Sequence, residues 1–217
     1  MRMFHLRTLG LAILCSVVLT AADGPTHPTP QVWKPTSALL TGSGPVNLMP
    51  FANLKLAMVP LTDKRADKGL LGENQEKAKS RYVATTDDVA AFVSQHLLAL
   101  FAEPGLPISA KTEGATAVLS GEILRFQVTE KETYQGEFRA ILQIESAGKV
   151  LWKGLAVGQS TRFGRSYKLE NYHETLSDCL VDAVAHLLAD KAFVGALTGT
   201  PAVTTPAAAP AVTPAAN

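Results

Sequence analysis

The sequence predicts an α+β domain in which a largely antiparallel sheet of about four strands is covered by two helices, a sandwich of two layers. Three observations predict this fold. Apolar and polar residues alternate over 54–61 and again between 117 and 152, which is the period of strands. Apolar residues recur at helical spacing after Thr85 and again over 171–191. The later strands follow one another without an intervening helix, which favours a meander with one solvated face.

The first predicted element is a strand over residues 54–61, whose alternation turns into an apolar run that Pro60 ends. The segment that follows, residues 62–83, is rich in charged residues and interrupted by glycines. We therefore expect a long surface loop between this strand and the first helix.

The first helix is predicted to open at Thr85, because Asp88 stands three residues later and can reach back as in a capping box. Pro104-Gly105 ends it. His96 shares its apolar stripe, and we expect a half-buried histidine at the edge of that stripe. The stripe consists of Val89, Phe92, Val93, Leu97 and Leu100.

A strand meander is predicted next. Its first part runs from Ala117 to Val128, and the inward-facing positions change near Gly121, from Ala117 and Leu119 to Leu124 and Phe126, which predicts a bulge at that glycine. A cleanly alternating strand covers 138–144, and residues 146–149 form a hairpin turn that leads into a return strand.

The last predicted helix runs from about Asn171 to Lys191, with Asn171 as its cap and Glu174 at the third position. Its apolar stripe faces the sheet and consists of Leu176, Leu180, Val184 and Leu187.

The flanking segments divide the chain into four parts. Residues 1–22 have the order of a secretory signal peptide, with a basic start, a short apolar run and small residues at the end. Residues 23–50 are predicted to be a proline-rich, poorly packed linker, and residues 51–197 the α+β domain. Residues 198–217 contain no charge and four prolines, which predicts a disordered Ala/Pro/Thr tail.

The signal peptide predicts the periplasm, with association to the outer membrane or secretion as further outcomes. Two processing routes remain open, cleavage near Ala22 or lipidation at Cys15. The bulky Leu14 before Cys15 favours cleavage near Ala22. No other stretch approaches the roughly 18 apolar residues of a membrane-spanning helix, so we expect none after signal cleavage.

The composition indicates which classes of partner and site to expect. Without Arg2 and Arg7, 18 basic residues stand against 19 acidic ones, so the mature chain is near neutrality and we expect no nucleic-acid partner. Cys179 is then the remaining cysteine, which excludes an intramolecular disulfide. No metal or cofactor signature is present, and we expect no cofactor.

One group of residues permits a catalytic alternative. Asp182, His186 and Asp190 are spaced four residues apart on one helix face. A secreted hydrolase would use His186 with Asp182 or with Cys179, whereas a solvated helix face explains the same spacing without chemistry. We expect a non-enzyme.

Three stretches carry a family resemblance: residues 58–65 followed by Leu71-Gly72, residues 118–126, and the closing helix from Asn171 to Leu197. In these features the chain resembles the YajG-type lipoproteins, which belong with auxiliary lipoproteins of bacterial envelope transport. The resemblance implies an accessory or adaptor role that binds an envelope protein complex or a lipid-like, apolar ligand. The positions that match and could contact a partner are Asp63, Arg65, Gly72 and Asn171.

Overall fold

The structure is a computed structural model that describes residues 28–39, 54–165 and 167–198. The signal peptide, most of the tail and residues 40–53 lie outside these ranges, so the predictions made for them are not addressed by the fold. The described chain forms a mixed α+β fold with one sheet of eight strands and three helices.

Seven of the strands and one helix precede the long return strand. In chain order the elements are β1 (Leu56–Met58), β2 (Thr62–Asp63), β3 (Leu70–Asn74), β4 (Arg81–Ala84), α1 (Val89–Ala102), β5 (Ile108–Ser109), β6 (Ala117–Glu130), β7 (Thr133–Ser146), β8 (Lys149–Phe163), α2 (Leu169–Ala189) and α3 (Lys191–Thr198).

Strand β6 organises the sheet. On one side it pairs antiparallel with β7, which pairs antiparallel with β8, so these three long strands form the predicted meander. On its other side β6 pairs with β1, β2 and β3 one after another, all parallel. Strand β5 adjoins β1 and β4 adjoins β3. The sheet is therefore mixed, and it is larger than the predicted four strands.

The extra strands come from the segment predicted as a long loop. Residues 62–83 contain β2, β3 and most of β4. These strands are two to five residues long; β2 and β3 form because they pair with one edge of β6, and β4 forms because it pairs with β3. Pairing with a distant strand overrides the charged local composition, which is why the loop prediction was wrong.

The bulge in β6 also lies elsewhere than predicted. The pairing with β7 shifts register between Ile123 and Arg125, so the extra residue is Leu124 and not Gly121. Gly121 instead continues the inner row, where a Cβ would meet the backbone oxygen of Ile141 at 2.2 Å. A change of parity was predicted correctly, but three residues too early, so the prediction that Leu124 faces inward was wrong: this side chain is 40 % exposed.

Both long helices begin at residues other than the predicted caps. Helix α1 is capped by Asp88, whose carboxylate accepts a hydrogen bond from the amide of Ala91, so Thr85 lies before it. Helix α2 begins at Leu169, and its first-turn residue Asn171 is inside the helix and not its cap. It ends at Ala189, because Asp190 adopts an extended conformation and its side chain accepts a hydrogen bond from Ala192, within the first turn of α3.

The helices cover one face of the meander. Its inner residues form one continuous core with them, including Phe126, Phe138 and Leu142 from the strands and Leu180 and Val184 from α2. Helix α2 approaches β8 most closely at Gly158, where a Cβ would lie 1.9 Å from the carbonyl oxygen of Cys179. The opposite face of the meander, named here the outer face, carries exposed and half-exposed residues.

Candidate functional site

Two of the predicted contact residues form an ion pair with each other. Nη2 of Arg65 lies 2.9 Å from Oδ2 of Asp63, and the buried guanidinium also donates to the carbonyls of Leu70 at 2.9 Å and Lys68 at 2.5 Å. Burial alone would raise the pKa of Asp63, but the hydrogen bonds and the charge of Arg65 lower it below 3.8. The pair thus holds the turn between β2 and β3.

The other two predicted contact residues border the same buried ring. A Cβ at Gly72 would lie 2.4 Å from Cε1 of Tyr172, so glycine lets this ring pack on β3. The residue before it on α2, Asn171, lies beside Tyr134, whose hydroxyl accepts a hydrogen bond from the amide of Lys168 at 3.1 Å. Tyr134 packs edge-on against Tyr172 with ring centroids 5.1 Å apart.

Glu130 is the charged centre of this cluster and was missed in the sequence. It is fully buried and accepts hydrogen bonds from the hydroxyl of Tyr172 at 2.7 Å and the amide of Tyr167 at 2.9 Å. Burial would raise the pKa of Glu130, but these bonds and one from Asn74 lower it. The sequence did contain one indication that Glu130 is buried, because it follows the inward-facing Phe126 and Val128 at the spacing of two residues that a strand requires.

An N-terminal strap crosses the helical side of the domain. Residues 28–39, named here the strap, begin beside β4, where the amide of Thr29 donates to Ala84 at 2.8 Å. The strap then passes α1, where Trp33 stacks on His96 with ring centroids 4.1 Å apart. This part of the predicted linker is packed, because its aromatic and hydroxyl side chains find partners on both long helices.

The strap ends on a carboxylate of α2. Asp178 is buried and accepts hydrogen bonds from the amide and hydroxyl of Thr36, at 2.7 and 2.6 Å, and from the amide and hydroxyl of Ser37, both at 2.9 Å. Burial would raise the pKa of Asp178, but these bonds lower it below 3.8. Arg162 of β8 lies 3.4 Å from the same carboxylate.

Two residues of the hydrolase alternative, Asp182 and His186, lie at the edge of β8 that pairs with no other described strand. Oδ2 of Asp182 accepts a hydrogen bond from the amide of Gln159 at 2.9 Å and lies 3.5 Å from Nδ1 of His186. The same nitrogen of His186 lies 3.4 Å from the carbonyl oxygen of Val157. Both side chains therefore cover polar backbone groups that an edge strand would otherwise leave open.

Cys179 faces the interior. It is fully buried against the sheet, and burial, together with the charges of Asp182 and Asp178, raises the pKa of its thiol. A raised pKa disfavours the thiolate, which is the nucleophilic form. Over the described ranges, no three His, Cys, Asp or Glu side chains are grouped so that they could hold a metal ion.

The outer face carries an apolar patch, defined here as Leu124, Ile141 and Leu155. Ile141 pairs with Leu155 across β7 and β8, its partner on β6 is Glu122, and Leu124 is the bulge residue two positions further along β6. Leu124 is 40 % exposed and Leu155 is 53 % exposed. The bulge at Leu124 brings this side chain to the outer surface.

An arginine–glutamate–arginine cluster borders the apolar patch. Oε1 of Glu137 accepts a hydrogen bond from Nε of Arg139 at 2.5 Å, and Oε2 lies 2.6 Å from Nε of Arg125. Arg125 and Arg139 are directly opposite each other in the ladder, and the carboxylate between them offsets their repulsion. About half of each arginine side chain stays exposed, so both can reach a bound molecule.

Open depressions border this face, one of them between Leu124 and the turn at Arg65 and Asp67. Another of about 350 Å³ is bordered by Ile141 together with Glu122, Gln143 and Lys153. A third of about 260 Å³ lies beside Arg125 and is lined by amide and hydroxyl side chains, namely Gln135, Gln159, Thr129 and Thr161. The outer face therefore combines a small apolar centre with polar surroundings.

Comparisons with known proteins yield structural likeness alone, since no family model and no curated protein matches the chain. A protein of family DUF330 from Xanthomonas campestris is 11 % identical, with a TM-score of 0.48 over 67 % of this chain and 85 % of that one. A PelC dodecamer from Paraburkholderia phytofirmans is 14 % identical, with a TM-score of 0.38 over 60 % and 85 %. The lipoprotein GNA1162 of Neisseria meningitidis is 16 % identical, with a TM-score of 0.29 over 63 % and 98 %.

Bacterial lipoproteins are thus among the structures that this chain resembles, and the YajG-type resemblance of its motifs stays a prediction. None of these values supports the transfer of a function. Among the described residues, no helix has the length and apolar character needed to cross a membrane.

Proposed function

We propose that this chain is an exported, non-enzymatic protein of the bacterial envelope that binds a protein partner through its outer face. The observation that carries the proposal is the exposed apolar patch, placed beside two half-exposed arginines on the side of the sheet that the helices leave uncovered.

The composition of this face supports a protein partner. The central part of a protein interface is typically apolar and enriched in arginine, with polar residues around it. Leu124, Ile141 and Leu155 supply such a centre, and Arg125 and Arg139 lie next to it. The depression of about 350 Å³ is bordered by Glu122, Gln143 and Lys153, which suits a protein surface better than a lipid chain.

The non-enzymatic part of the proposal is supported by what the candidate catalytic residues contact. His186 and Asp182 engage the backbone of β8, and the thiol of Cys179 is buried and held protonated. Each therefore has a structural use in the described fold.

Site-specific crosslinking in intact cells tests the partner. A photo-reactive residue at Ile141 or Leu155 is expected to capture one and the same protein. The matched control is Leu169, an apolar residue on α2 that is 40 % exposed. Equal capture from Leu169, or a lipid adduct from the outer face, would contradict the proposal.

A binding measurement with the captured protein completes this test. Leu155→Glu is expected to weaken binding at least about tenfold, because it places a charge in the apolar centre, whereas Leu169→Glu is expected to change it little. Leu155 is exposed, so neither change should lower the free energy of unfolding by more than about 0.5 kcal/mol.

Export is tested separately on the mature chain. We expect a periplasmic product that begins after Ala22, shown by intact-mass measurement. A mass that corresponds to a lipidated Cys15 would instead indicate anchoring in a membrane, and a cytosolic product that retains Met1 would overturn the proposal.

A further inference from the structure

Two histidines lie beneath the strap. His96 of α1 is stacked under Trp33, with ring planes 8° apart. His173 of α2 is 9 % exposed and lies against the backbone of Pro30 in the strap. Its Nε2 is buried without a hydrogen-bond partner in the part of the chain that the structure describes. The strap therefore covers two groups that gain a charge close to neutral pH.

The side chain of Gln31, also in the strap, adds to the unsatisfied groups at this contact. Its amide nitrogen and oxygen are buried and have no hydrogen-bond partner among the described residues. Its backbone amide, by contrast, donates to Asp87 at 2.7 Å. Buried polar groups without partners cost free energy, so this part of the strap is held less firmly than the part at Asp178.

Charged groups from four parts of the chain face this region. They are Lys34 of the strap, Asp87 before α1, Arg162 of β8, and Glu170, Glu174 and Asp178 of α2.

The carboxylates among these groups already have cationic or hydrogen-bonding partners. Lys34 pairs with Glu170 and lies 3.2 Å from Glu174, which also lies 2.8 Å from Arg162. Arg162 lies 3.4 Å from Asp178 as well. A further positive charge on His173 would therefore meet the ammonium of Lys34 without gaining an unpaired carboxylate in this cluster.

We propose that the strap is an acid-released latch, which stays docked across α1 and α2 while His173 is neutral and detaches when His173 is protonated. Release uncovers Trp33, the ring of His96 and the carboxylate of Asp178. Release breaks one backbone contact with the sheet, between Thr29 and Ala84 at the end of β4. The other contacts named for the strap are with the two long helices, with Asp87 before α1 and with the side chain of Arg162.

The direction of the effect follows from linkage. Burial, and then the charge of Lys34, lower the pKa of His173 below the ordinary value of 6.5, and a hydrogen bond to the backbone of Pro30 offsets only part of this effect. Burial likewise lowers the pKa of His96. The released strap leaves both histidines near the ordinary value, so released protein binds more protons. Docking is therefore fully favoured above about pH 6.5. Below that pH, the equilibrium constant for docking falls by up to about tenfold per pH unit for each proton that the released protein takes up.

Two other groups shape the response. A protonated His96 would gain a cation–π contact with Trp33, which offsets part of its own desolvation, so His173 is the main sensor. Protonation of Asp178, whose pKa is lowered in the docked state, also weakens docking, but only at a pH below 3.8, the ordinary pKa of this group. The two steps are therefore separated in pH.

Fluorescence of Trp33 measures docking directly. The chain has two tryptophans, so Trp152→Phe leaves Trp33 as the single reporter in the full mature protein. Acrylamide quenching of Trp33 is expected to rise about threefold or more between about pH 7.5 and pH 5.0, because the ring moves from a stack into water. His186→Gln, on the same helix, is the control and should behave in the same way.

His173→Gln removes the charge and is expected to keep Trp33 protected at the lower pH. Unchanged quenching across this range in the parent protein, or equal release in His173→Gln, would overturn the proposal. If His173→Gln does not fold, an NMR titration of the parent decides, because a pKa of His173 at or above about 6.5 would also overturn it.

Discussion

The carboxylate of Asp178 binds Thr36 twice, through the backbone amide at 2.7 Å and through the hydroxyl at 2.6 Å. This contact joins a proline-rich segment near the start of the chain to a helix near its end. The described N-terminal strap is therefore part of the packed structure, and the stability of the domain depends on residues that precede its first strand.

Asp178→Ala is expected to lower the free energy of unfolding by about 1–3 kcal/mol, because the groups of Thr36 and Ser37 lose their acceptor and Arg162 loses a carboxylate. Urea unfolding at neutral pH measures it. Glu113→Ala, at an exposed loop position, is the control and should change the value by less than about 0.5 kcal/mol. A loss no larger than that of the control would show that the strap adds little.

Glu130→Gln is expected to weaken the dependence of stability on acid. The pKa of Glu130 is lowered in the fold, so its charged form contributes stability that is present above about pH 4.5 and is lost as pH falls through the folded pKa. Urea unfolding between about pH 3 and pH 7 should show a shallower decline than in the parent protein. An identical decline in both proteins would mean that Glu130 does not titrate with unfolding.

Gly158→Ala is expected to destabilise the domain by about 1–3 kcal/mol or more, because a Cβ would lie 1.9 Å from the carbonyl oxygen of Cys179 and 2.7 Å from the amide nitrogen of Ala183. Both contacts are backbone atoms of α2, so the helix itself would have to move. Gly69→Ala is the matched control, since its closest contact is at 3.4 Å. Thermal unfolding measures both, and equal midpoints would contradict the close approach of α2.

The thiol of Cys179 is expected to react at least about a hundredfold more slowly with a disulfide reagent in the folded protein than in urea, because it is buried and its pKa is raised. Thr161→Cys, on the exposed outer face, provides a fast-reacting control in the same fold. Rapid modification of Cys179 in the folded protein would revive the hydrolase alternative.

Elements that show their own periodicity were predicted well. The alternation over 138–144 correctly predicts which side chains of β7 face the core. The spacing of Leu176, Leu180 and Val184 correctly predicts the buried side of α2. The hairpin turn at 146–149 was also placed correctly, with Ala147 and Gly148 both at positive φ. Each of these features depends on neighbours within a few positions in the chain.

The candidate site was less accessible to sequence reasoning. The apolar patch requires the extra residue at Leu124, and a bulge is selected by pairing with β7 more than by the residue itself. Glu130 and Asp178 look like ordinary solvated carboxylates in the sequence, because the tyrosines and hydroxyls that bind them come from distant segments. The same holds for Arg65, whose carbonyl partners are set by the turn after β2.

By itself, the sequence determined the class of fold and the buried sides of the meander and of both long helices, because burial imposes a period that apolar residues must follow. The tertiary structure alone decided that residues 62–83 contain strands, that the strap is docked, and that Leu124, Ile141 and Leu155 lie on one uncovered face. These features arise from contacts between segments far apart in the chain, and such contacts produce no periodic pattern in the local sequence.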